Sequence, residues 1–343
     1  MAESKRFDAV RFGVIGTGNM GAQHARNIAS GVMGARLVAL ADPDEGRVRQ
    51  LGDELGVPHV YTDWRELIAR DDLDAVVIAA PSPTRAEMVP AAADVGKAIF
   101  CEKPAAVDAE TARRIARAVV EKKVLYQMGF MRRFDPSYAR AKQLISEGAI
   151  GEPVLVRVSS REEAPRPKQF VPRATGIFVE SSVHDFDLAR WLMNDEVVRV
   201  YAQGRHVYPQ FNAPDDVDVV TATLTFSRGG MGLHDNHRYS GYGYHIQTEV
   251  LGTEGVLKIG YVHHDACVLL KRGQQAGDYV VDWLDRFRDA YRIELQHFVD
   301  CVRTGTPPAI GVEDGIRALE IAEAALESMK TGLPVDVKRG EVM

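Results

Sequence analysis

Gly16-Thr17-Gly18-Asn19-Met20-Gly21 follows the apolar run Val10–Ile15 and leads into residues 22–30, whose composition suits a helix. The predicted order is therefore strand, glycine-rich turn and helix. In this spacing the first glycine permits a tight turn, the second lets a pyrophosphate approach the backbone, and the third lets helix pack closely on strand. Because the helix then presents its amino-terminal end to the phosphates, the pattern predicts a dinucleotide-binding site at Gly16, Gly18, Asn19, Met20 and Gly21.

A second apolar strand, residues 37–41, ends at Asp42. Asp42 follows the glycine turn by about 20 residues, the distance expected for the acid that bonds an adenosine ribose. A carboxylate at this position repels a 2′-phosphate, which favours NAD over NADP. The alternative is an ordinary Asp-Pro turn formed with Pro43.

Apolar strands continue to alternate with helices as far as residue 128. Strands are predicted at residues 75–80, 98–101 and 124–129, and helices at 63–69, 84–94 and 107–122. Continuous apolar strands alternating with helices are typical of a parallel sheet covered on both faces. Residues 1–128 are therefore predicted to form a doubly wound α/β domain.

The strand at 98–101 runs into Glu102, Lys103 and Pro104. Ligands of an open parallel sheet lie outside the carboxyl ends of its strands, so this charged pair is expected at the ligand edge. The strand at 75–80 ends at the same edge. The predicted cofactor contacts there are Ala80, Pro81, Ser82, Thr84, Glu102 and Lys103. The alternative for Glu102 and Lys103 is a salt-bridged loop that only closes the strand.

After residue 131 the pattern changes to alternation of apolar and polar residues, as in residues 154–159 and 220–226. Such strands are half-buried and typical of antiparallel or mixed sheets. Further strands are predicted at residues 197–203, 231–238, 247–251 and 256–259, and long helices at 283–303 and 312–330. Residues 129–343 are therefore predicted to form an α+β domain with an open-faced, largely antiparallel sheet.

Glu180 and His184 stand four residues apart, which places them on one face if this segment is helical. A carboxylate beside an imidazole fixes its tautomer and supports a general base. The alternative is a helix-start acid and a core histidine with structural partners. Paired-histidine metal spacing and a GxSxG motif were not found, so no metal is expected.

Composition narrows the function classes. The chain has 343 residues, a length that predicts two domains, and 45% of its residues are apolar, as in an ordinary globular protein. Its net charge of -6 argues against nucleic acid or anionic membranes as partners. Three scattered cysteines, Cys101, Cys267 and Cys301, favour a reducing cytoplasm. Residues 1–8 are polar and nowhere do 18 apolar residues run together, so neither export nor membrane insertion is expected.

Three motifs together give the chain a family resemblance over nearly its whole length. Residues 16–21, Glu102-Lys103-Pro104, and His184-Asp185-Phe186-Asp187 with Trp191 resemble the glucose-fructose oxidoreductase, inositol dehydrogenase and MocA family. Inositol 2-dehydrogenases look most similar, through residues 129–136, Tyr242-Gly243-Tyr244, and Ala290-Tyr291 followed by Glu294 and Phe298. The resemblance implies a Rossmann domain, an open-sheet domain, a homo-oligomer (dimer or tetramer) and NAD-linked oxidation of a polyol ring hydroxyl.

The resemblance also implies residue roles. Lys103 would stabilise charge on the reacting hydroxyl, and His184, held by Glu180, would be the general base, although Lys103 could take the proton instead. Arg133, Tyr244 and Tyr291 would hold other ring hydroxyls or be structural. The chain departs from the family pattern at three places: Glu180 replaces the usual aspartate, the glycine-rich lead-in before it is reduced to Ala174-Thr175-Gly176, and Arg85 stands where many relatives carry a histidine. The alternatives are a sugar, amino-sugar or anhydrosugar dehydrogenase, and a non-catalytic regulator that senses NAD(H).

Overall fold

The computed structural model describes residues 9–163, 175–208, 216–260, 263–272 and 274–341; the polar residues 1–8 lie outside the described residues. The chain divides into two compact units. The first comprises Met1–Met131, Asp289–Arg317 and Gly340–Met343, and the second comprises Arg132–Arg288 and Ala318–Arg339. Each unit is built around its own sheet.

The first unit contains a six-stranded sheet and its helices. In chain order these are β1 (Val10–Ile15), α1 (Asn19–Ser30), β2 (Ala35–Ala41), α2 (Glu45–Leu55), β3 (His59–Tyr61), α3 (Trp64–Ile68), β4 (Ala75–Ile78), α4 (Ser82–Asp94), β5 (Ala98–Glu102), α5 (Ala109–Lys122) and β6 (Tyr126–Gly129). The strand order is β3-β2-β1-β4-β5-β6, and each neighbouring pair is parallel. This is the doubly wound order of the Rossmann fold, so the predicted fold class is confirmed.

The remaining elements follow a 3₁₀ turn at Met131–Phe134. They are α6 (Pro136–Ser146), β7 (Pro153–Arg161), a π-helical turn (Phe178–Ser182), α7 (Val183–Met193), β8 (Val197–Arg205), β9 (Val219–Phe226), β10 (Met231–His237), β11 (His245–Gly252), β12 (Val256–Ile259), β13 (His263–Lys271), β14 (Gln274–Tyr279), α8 (Trp283–Thr304), α9 (Val312–Thr331) and β15 (Val335–Asp336). The prediction omitted α2, β3, the hairpin β13–β14 and β15.

The core of the first unit lies against β1 and β5. Phe298, from the carboxyl-terminal part of α8, packs its ring against Phe12 and Phe100, with ring centroids 6.1 Å and 5.9 Å away. All four residues of β4 and all five of β5 are buried. Because these strands have no solvent-facing side, only their ends can present side chains to a ligand.

The sheet of the second unit has the order β12-β11-β7-β10-β9-β8-β15. Only β7 and β10 pair in parallel among its described ladders, and the others are antiparallel. Burial alternates along β9, where Ala222 and Leu224 are buried while Thr221, Thr223 and Thr225 are exposed. The predicted half-buried, mixed sheet is therefore confirmed.

Helices cover the buried face of this second sheet. Helix α7 packs against β7, and in α9 the hydroxyl of Ser328 accepts a 2.9 Å hydrogen bond from the backbone N–H of Ala202 in β8. The opposite face leaves Met231, Leu233 and Leu251 exposed. Among the described residues, the search for a helix of sufficient length and hydropathy to span a bilayer found none.

Candidate active site

The glycine turn after β1 has no room for side chains. Gly16 has a φ of +87°, and a Cβ there would come within 2.7 Å of the backbone nitrogen of Ala80. A Cβ on Gly21 would lie 1.7 Å from the carbonyl oxygen of Gly16. Gly18 is the N-cap of α1 and supplies no capping side chain, so the first N–H groups of α1 remain available to an anion. The turn therefore fits a dinucleotide pyrophosphate.

Asp42 lies at the end of β2 and is bonded to this turn. Its Oδ2 accepts a 2.7 Å hydrogen bond from the backbone N–H of Thr17, and its Oδ1 accepts one of 2.9 Å from that of Asp44. The guanidinium of Arg47 lies 3.9 Å from Oδ2. The carboxylate thus stands beside the glycine turn, as a ribose ligand must.

The end of β4 lies at the same edge of the sheet. Ala80 approaches Gly16, and Pro81 is the N-cap of α4, which begins at Ser82. The hydroxyl of Thr84 donates to the carbonyl oxygen of Pro81 at 2.8 Å. The structure therefore brings the predicted cofactor residues of the first unit, apart from the Glu102 side chain, to the edge where β1, β2 and β4 end.

The side chain of Glu102 makes its hydrogen bonds inside the first unit. Its side chain is buried, and its Oε1 lies 2.7 Å from Nε2 of His24 in α1. Its Oε2 accepts a 3.0 Å hydrogen bond from the backbone N–H of Lys103, which is itself only partly buried. The Lys103–Pro104 peptide bond is cis. A contact between Glu102 and the cofactor remains a prediction.

Arg85 holds the backbone on both sides of Lys103. This buried guanidinium donates to the carbonyl oxygen of Ala80 at 3.0 Å, and also to the carbonyl oxygens of Glu102 and Pro104. One cation therefore joins the end of β4 to the end of β5. The sequence singled out Arg85 only as a departure from its relatives, because the three carbonyl groups that it bonds leave no local pattern.

In the second unit, Glu180 lies in the π-helical turn Phe178–Ser182, directly before α7. Such turns are rare and often occur at functional sites. Its Oε2 accepts a 3.1 Å hydrogen bond from Arg238, which also donates to Asp216 at 2.6 Å. His184 is buried in the first turn of α7. The support of His184 by Glu180 remains a prediction.

Asp185, next to His184, belongs to a buried polar network. It pairs with Arg132, accepts a 2.6 Å hydrogen bond from Ser160, and lies 3.0 Å from Nε2 of His234. Burial alone would raise the pKa of Asp185, but the charge of Arg132 and the hydrogen bonds of His234 and Ser160 hold it below its usual value. Asp185 is therefore an ionised structural group.

The three predicted substrate residues have different surroundings. Arg133 donates to Asp187 at 2.8 Å and lies over the ring of Trp191. Tyr244 is buried in the second unit, and this burial raises its pKa to about 12, so its phenol is neutral at physiological pH. Tyr291 is buried in the first unit, 6.1 Å edge-on from the ring of His24.

Spacing along the chain suggested no metal site, but the fold assembles one group of potential ligands from distant positions. One ligand atom each of His24, Glu102 and Glu294 lie within 4.8 Å of one another. All three side chains are buried. The separation of these residues in sequence explains why no local motif revealed the cluster.

Comparison with known proteins identifies the family of both parts of the chain. Residues 10–130 match the family described as "Oxidoreductase family, NAD-binding Rossmann fold", and residues 142–337 match "Oxidoreductase family, C-terminal alpha/beta domain". The chain is 39% identical to the scyllo-inositol 2-dehydrogenase (NAD(+)) of Bacillus subtilis over 96% of this chain and 97% of that protein. It is 36% identical to the myo-inositol 2-dehydrogenase of Thermotoga maritima, over 94% and 96% of the two chains.

A solved structure shows the same likeness. The scyllo-inositol dehydrogenase of Lactobacillus casei with bound NAD(H) and scyllo-inositol superposes with a TM-score of 0.91, at 30% identity, over 96% of this chain and 99% of that one. Both halves of the chain thus match one family in sequence and in fold. The chain belongs to the glucose-fructose oxidoreductase, inositol dehydrogenase and MocA family of NAD-dependent oxidoreductases.

Proposed function

We propose that this enzyme oxidises a ring hydroxyl of an inositol-like cyclic polyol to a ketone, with NAD as the hydride acceptor. Its relatives of B. subtilis and T. maritima are inositol dehydrogenases, similar to it over nearly their full length. The observation that carries the proposal is the partly buried Lys103 at the end of β5: its N–H is bonded by the Glu102 carboxylate, and Arg85 bonds the carbonyl groups of its two neighbours, Glu102 and Pro104. A lysine fixed in this way suits a catalytic role.

The first unit fits NAD. The side-chain-free turn at Gly16, Gly18 and Gly21 accommodates a pyrophosphate, and Asp42 is available to the adenosine ribose. When bound, the nicotinamide supplies the hydride acceptor. Asp42 also selects NAD over NADP in this proposal, because its charge repels a 2′-phosphate.

In the proposed mechanism Lys103 and His184 have different roles in removing the proton of the substrate hydroxyl. Lys103 hydrogen-bonds the reacting hydroxyl and stabilises the negative charge that develops on its oxygen. His184 accepts the proton as general base, and Glu180 stabilises the resulting imidazolium. In the variant mechanism Lys103 accepts the proton itself, as a lysine can when its pKa falls to roughly 7 or 8.

Tyr244 is proposed to contact another ring hydroxyl, since a neutral phenol both donates and accepts hydrogen bonds. Arg133 and Tyr291 are proposed for the same role. The ion pair of Arg133 with Asp187 and the packing of Tyr291 on His24 show that each also has a structural partner.

We further propose a cytoplasmic homo-oligomer, a dimer or tetramer, that associates through the exposed face of the mixed sheet. Met231 is 58% exposed and Leu233 is 41% exposed on that face, and apolar residues on a flat sheet are typical of interfaces between subunits. The cytoplasmic location is supported by two buried cysteines, Cys101 and Cys301, that form no disulfide.

A substrate panel tests the proposed function. Purified enzyme with NAD is supplied with myo-, scyllo- and chiro-inositol, aldoses, amino sugars and anhydrosugars, and NADH formation is followed by absorbance. The highest kcat/KM is expected for an inositol. A higher value for a sugar or anhydrosugar would assign the enzyme to that class. Tight NADH binding without turnover on any compound would favour the non-catalytic sensor.

A further inference from the structure

Three ionisable side chains lie together next to the backbone of Lys103, and the proposed mechanism gives no proton-transfer role to any of them. His24 comes from α1, Glu102 from the end of β5, and Glu294 from α8. Their exposures are 0%, 4% and 0%. Burying three ionisable groups in one place is costly unless they are paired, so the cluster calls for a physical explanation.

Glu102 connects this cluster to Lys103. One carboxylate oxygen lies 2.7 Å from Nε2 of His24, and the other accepts the backbone N–H of Lys103 at 3.0 Å. Because an ionised carboxylate only accepts hydrogen bonds, Nε2 of His24 must be the donor. The carboxylate therefore links the interior of the unit to the backbone of Lys103.

Glu294 completes the cluster, and its carboxyl group makes no hydrogen bond to the described residues. Neither of its carboxyl oxygens has a partner there, and Nδ1 of His24 also lacks one. Like charges this close disfavour double ionisation of the two buried carboxyl groups, so the pair carries one proton. Burial and the charge of Glu102 raise the pKa of Glu294 well above its usual value. Burial would also raise the pKa of Glu102, but His24, Lys103 and Arg85 lower it below its usual value.

We propose that His24 and Glu294 are positioning residues that act through Glu102: the shared proton resides on Glu294, which leaves Glu102 ionised to fix the backbone and electrostatic surroundings of Lys103. This inference rests on the proposed function, since it takes Lys103 as the group that contacts the reacting hydroxyl. The cluster thereby turns a buried carboxyl pair into a fixed negative charge beside a catalytic amine.

A bound cation is the competing use of these three side chains, because imidazole and carboxylate both bind zinc. Two ligands about 2.0 to 2.1 Å from one tetrahedral ion lie about 3.3 Å apart. The separation of 2.7 Å between His24 and Glu102 is that of a hydrogen bond. A cation would also need both carboxyls ionised, whereas burial favours the protonated form of Glu294. The geometry therefore favours proton sharing.

The negative charge of Glu102 should affect the pH dependence of kcat. Glu102 favours the protonated form of Lys103, so its neutralisation lowers the pKa of Lys103 and moves the corresponding limb of the kcat profile to lower pH. Among the described residues of this unit, the other titratable or charged groups that interact with the charge of Glu102 or the ring of His24 include Arg85, Lys103, Cys101 and Tyr291. They are unchanged in the variants below, so a movement of the limb reports the charge of Glu102.

Steady-state kinetics on four variants of the full chain test the proposal. Glu102→Gln is expected to lower kcat by about tenfold or more, since small displacements of a catalytic group are costly, and to move the Lys103 limb to lower pH. Glu294→Leu, which removes the group beside Glu102, is expected to lose about tenfold in kcat. Glu294→Gln stays neutral and polar and should recover most of that loss. Asp300→Asn, an exposed acid-to-amide change on the same helix, is the matched control.

Infrared spectroscopy supplies a readout that a merely structural role would not change. The folded enzyme at neutral pH should show a carbonyl-stretch band of a buried protonated carboxylic acid, absent in Glu294→Gln and retained in Asp300→Asn. If Glu102→Gln fails to fold, this comparison still decides where the proton lies. Elemental analysis of the purified enzyme should find no stoichiometric metal that depends on Glu294.

Three results would overturn the proposal: a Glu102→Gln variant with the parental kcat and pH limb, an infrared band unaffected by Glu294→Gln, or a stoichiometric metal lost in that variant. Lys103→Ala separates this inference from the proposed function. If Lys103→Ala keeps its turnover, the role of Lys103 in the proposed mechanism fails, and with it the basis of this inference. If it is inactive while the cluster variants behave like the parent, only the positioning proposal fails.

Discussion

The two sheets of this enzyme bury their strands differently. In the parallel sheet, β4 and β5 are buried along their whole length, and polar groups collect where the strands end, at Asp42 and Lys103. In the mixed sheet, burial alternates residue by residue, so one whole face of β9 and β10 remains exposed. The difference assigns separate tasks: a sheet buried on both faces can do chemistry only at its edge, whereas a sheet with one exposed face can bind a partner.

Replacing an apolar residue by aspartate in each of the two sheets tests this difference in burial and should give the largest effect. Val77→Asp puts an unpaired charge at a fully buried position of β4 and should abolish folding, since such burial costs several kcal/mol of a stability of about 5 to 15 kcal/mol. Leu233→Asp, on the exposed face of β10, should change the free energy of unfolding of the separate subunit, compared at protein concentrations where parent and variant are both dissociated, by no more than about 0.5 kcal/mol. Circular dichroism with thermal denaturation measures both effects.

Leu233→Asp also tests the proposed interface. Light scattering should show dissociation to a smaller oligomer, because a charge facing its symmetry-related neighbours disfavours association. Leu233→Asn is the neutral control and should dissociate less. An unchanged oligomer in both variants would mean that the exposed face of the mixed sheet is not the subunit interface.

The second prediction concerns the edge of the parallel sheet. Lys103→Ala should lower turnover by roughly 100-fold or more while NAD binding survives, because the lysine acts on charge that develops in the transition state. Calorimetric titration with NAD and steady-state rates measure the two quantities. Lys122→Ala, an exposed lysine of the same unit, serves as the control. Near-normal turnover of Lys103→Ala would remove the lysine from the mechanism.

Sequence reasoning succeeded where the signal is local. The glycine turn, Asp42 and Lys103 each stand directly after an apolar run, so their place at the sheet edge followed from the strand pattern. Both fold classes followed from the change between continuous and alternating burial. Helix α2 was missed although Asp44 caps its start and Gly56 ends it, because its sequence is strongly charged with few apolar positions.

The side-chain partners could not be predicted in this way. The contacts of Glu102 with His24, and of Arg85 with the backbone beside Lys103, join segments that only the fold brings together. Glu102 was expected at the ligand edge because it stands at the carboxyl end of a parallel strand, and strand position alone does not reveal its bond to His24. The ion pair of Arg133 with Asp187 is likewise a feature of packing that no spacing rule reveals.

The third prediction tests cofactor choice at the end of β2. The parent should prefer NAD to NADP, and Asp42→Asn should reduce that preference by about tenfold, roughly the value of one hydrogen bond to a charged group. The amide oxygen can still accept from Thr17, but the NH2 group cannot accept from Asp44, so that hydrogen bond is lost. Without the carboxylate charge, the nearby Arg47 would favour a 2′-phosphate. Ratios of kcat/KM for the two cofactors measure the effect. Asp53→Asn, an exposed acid-to-amide change on α2, is the control. If the parent used NAD and NADP equally well, Asp42 would be a turn residue without a role in cofactor choice.

The smallest change in activity is expected for variants of Glu180, which belongs to the unit of the mixed sheet. A chemical role of Glu180 would show that this unit contributes to catalysis as well as to binding a partner. Glu180 is one methylene longer than the aspartate of the family and is held by Arg238. A displacement of about 1 Å can cost on the order of 100-fold in rate. The extra length of the Glu180 side chain must therefore be offset by a shift of the backbone or by a different position of the substrate. Glu180→Asp should therefore alter the ranking of polyol substrates, and Glu180→Gln should lower turnover on all of them by weakening the support of protonated His184.

Asp216→Asn separates this role from the salt bridge, since Asp216 is the other carboxylate bound to Arg238. A purely structural Glu180 predicts that the Asp216 variant and both Glu180 variants lose thermal stability alike and keep the parental substrate ranking. A chemical Glu180 predicts a changed ranking for Glu180→Asp alone and a general loss of turnover for Glu180→Gln alone. If the kinetic profiles of both Glu180 variants match the parent, the pairing of Glu180 with His184 is wrong. Because Asp185 is already bound to Arg132 and His234, Lys103 would then carry the proton transfer without a carboxylate from this helix.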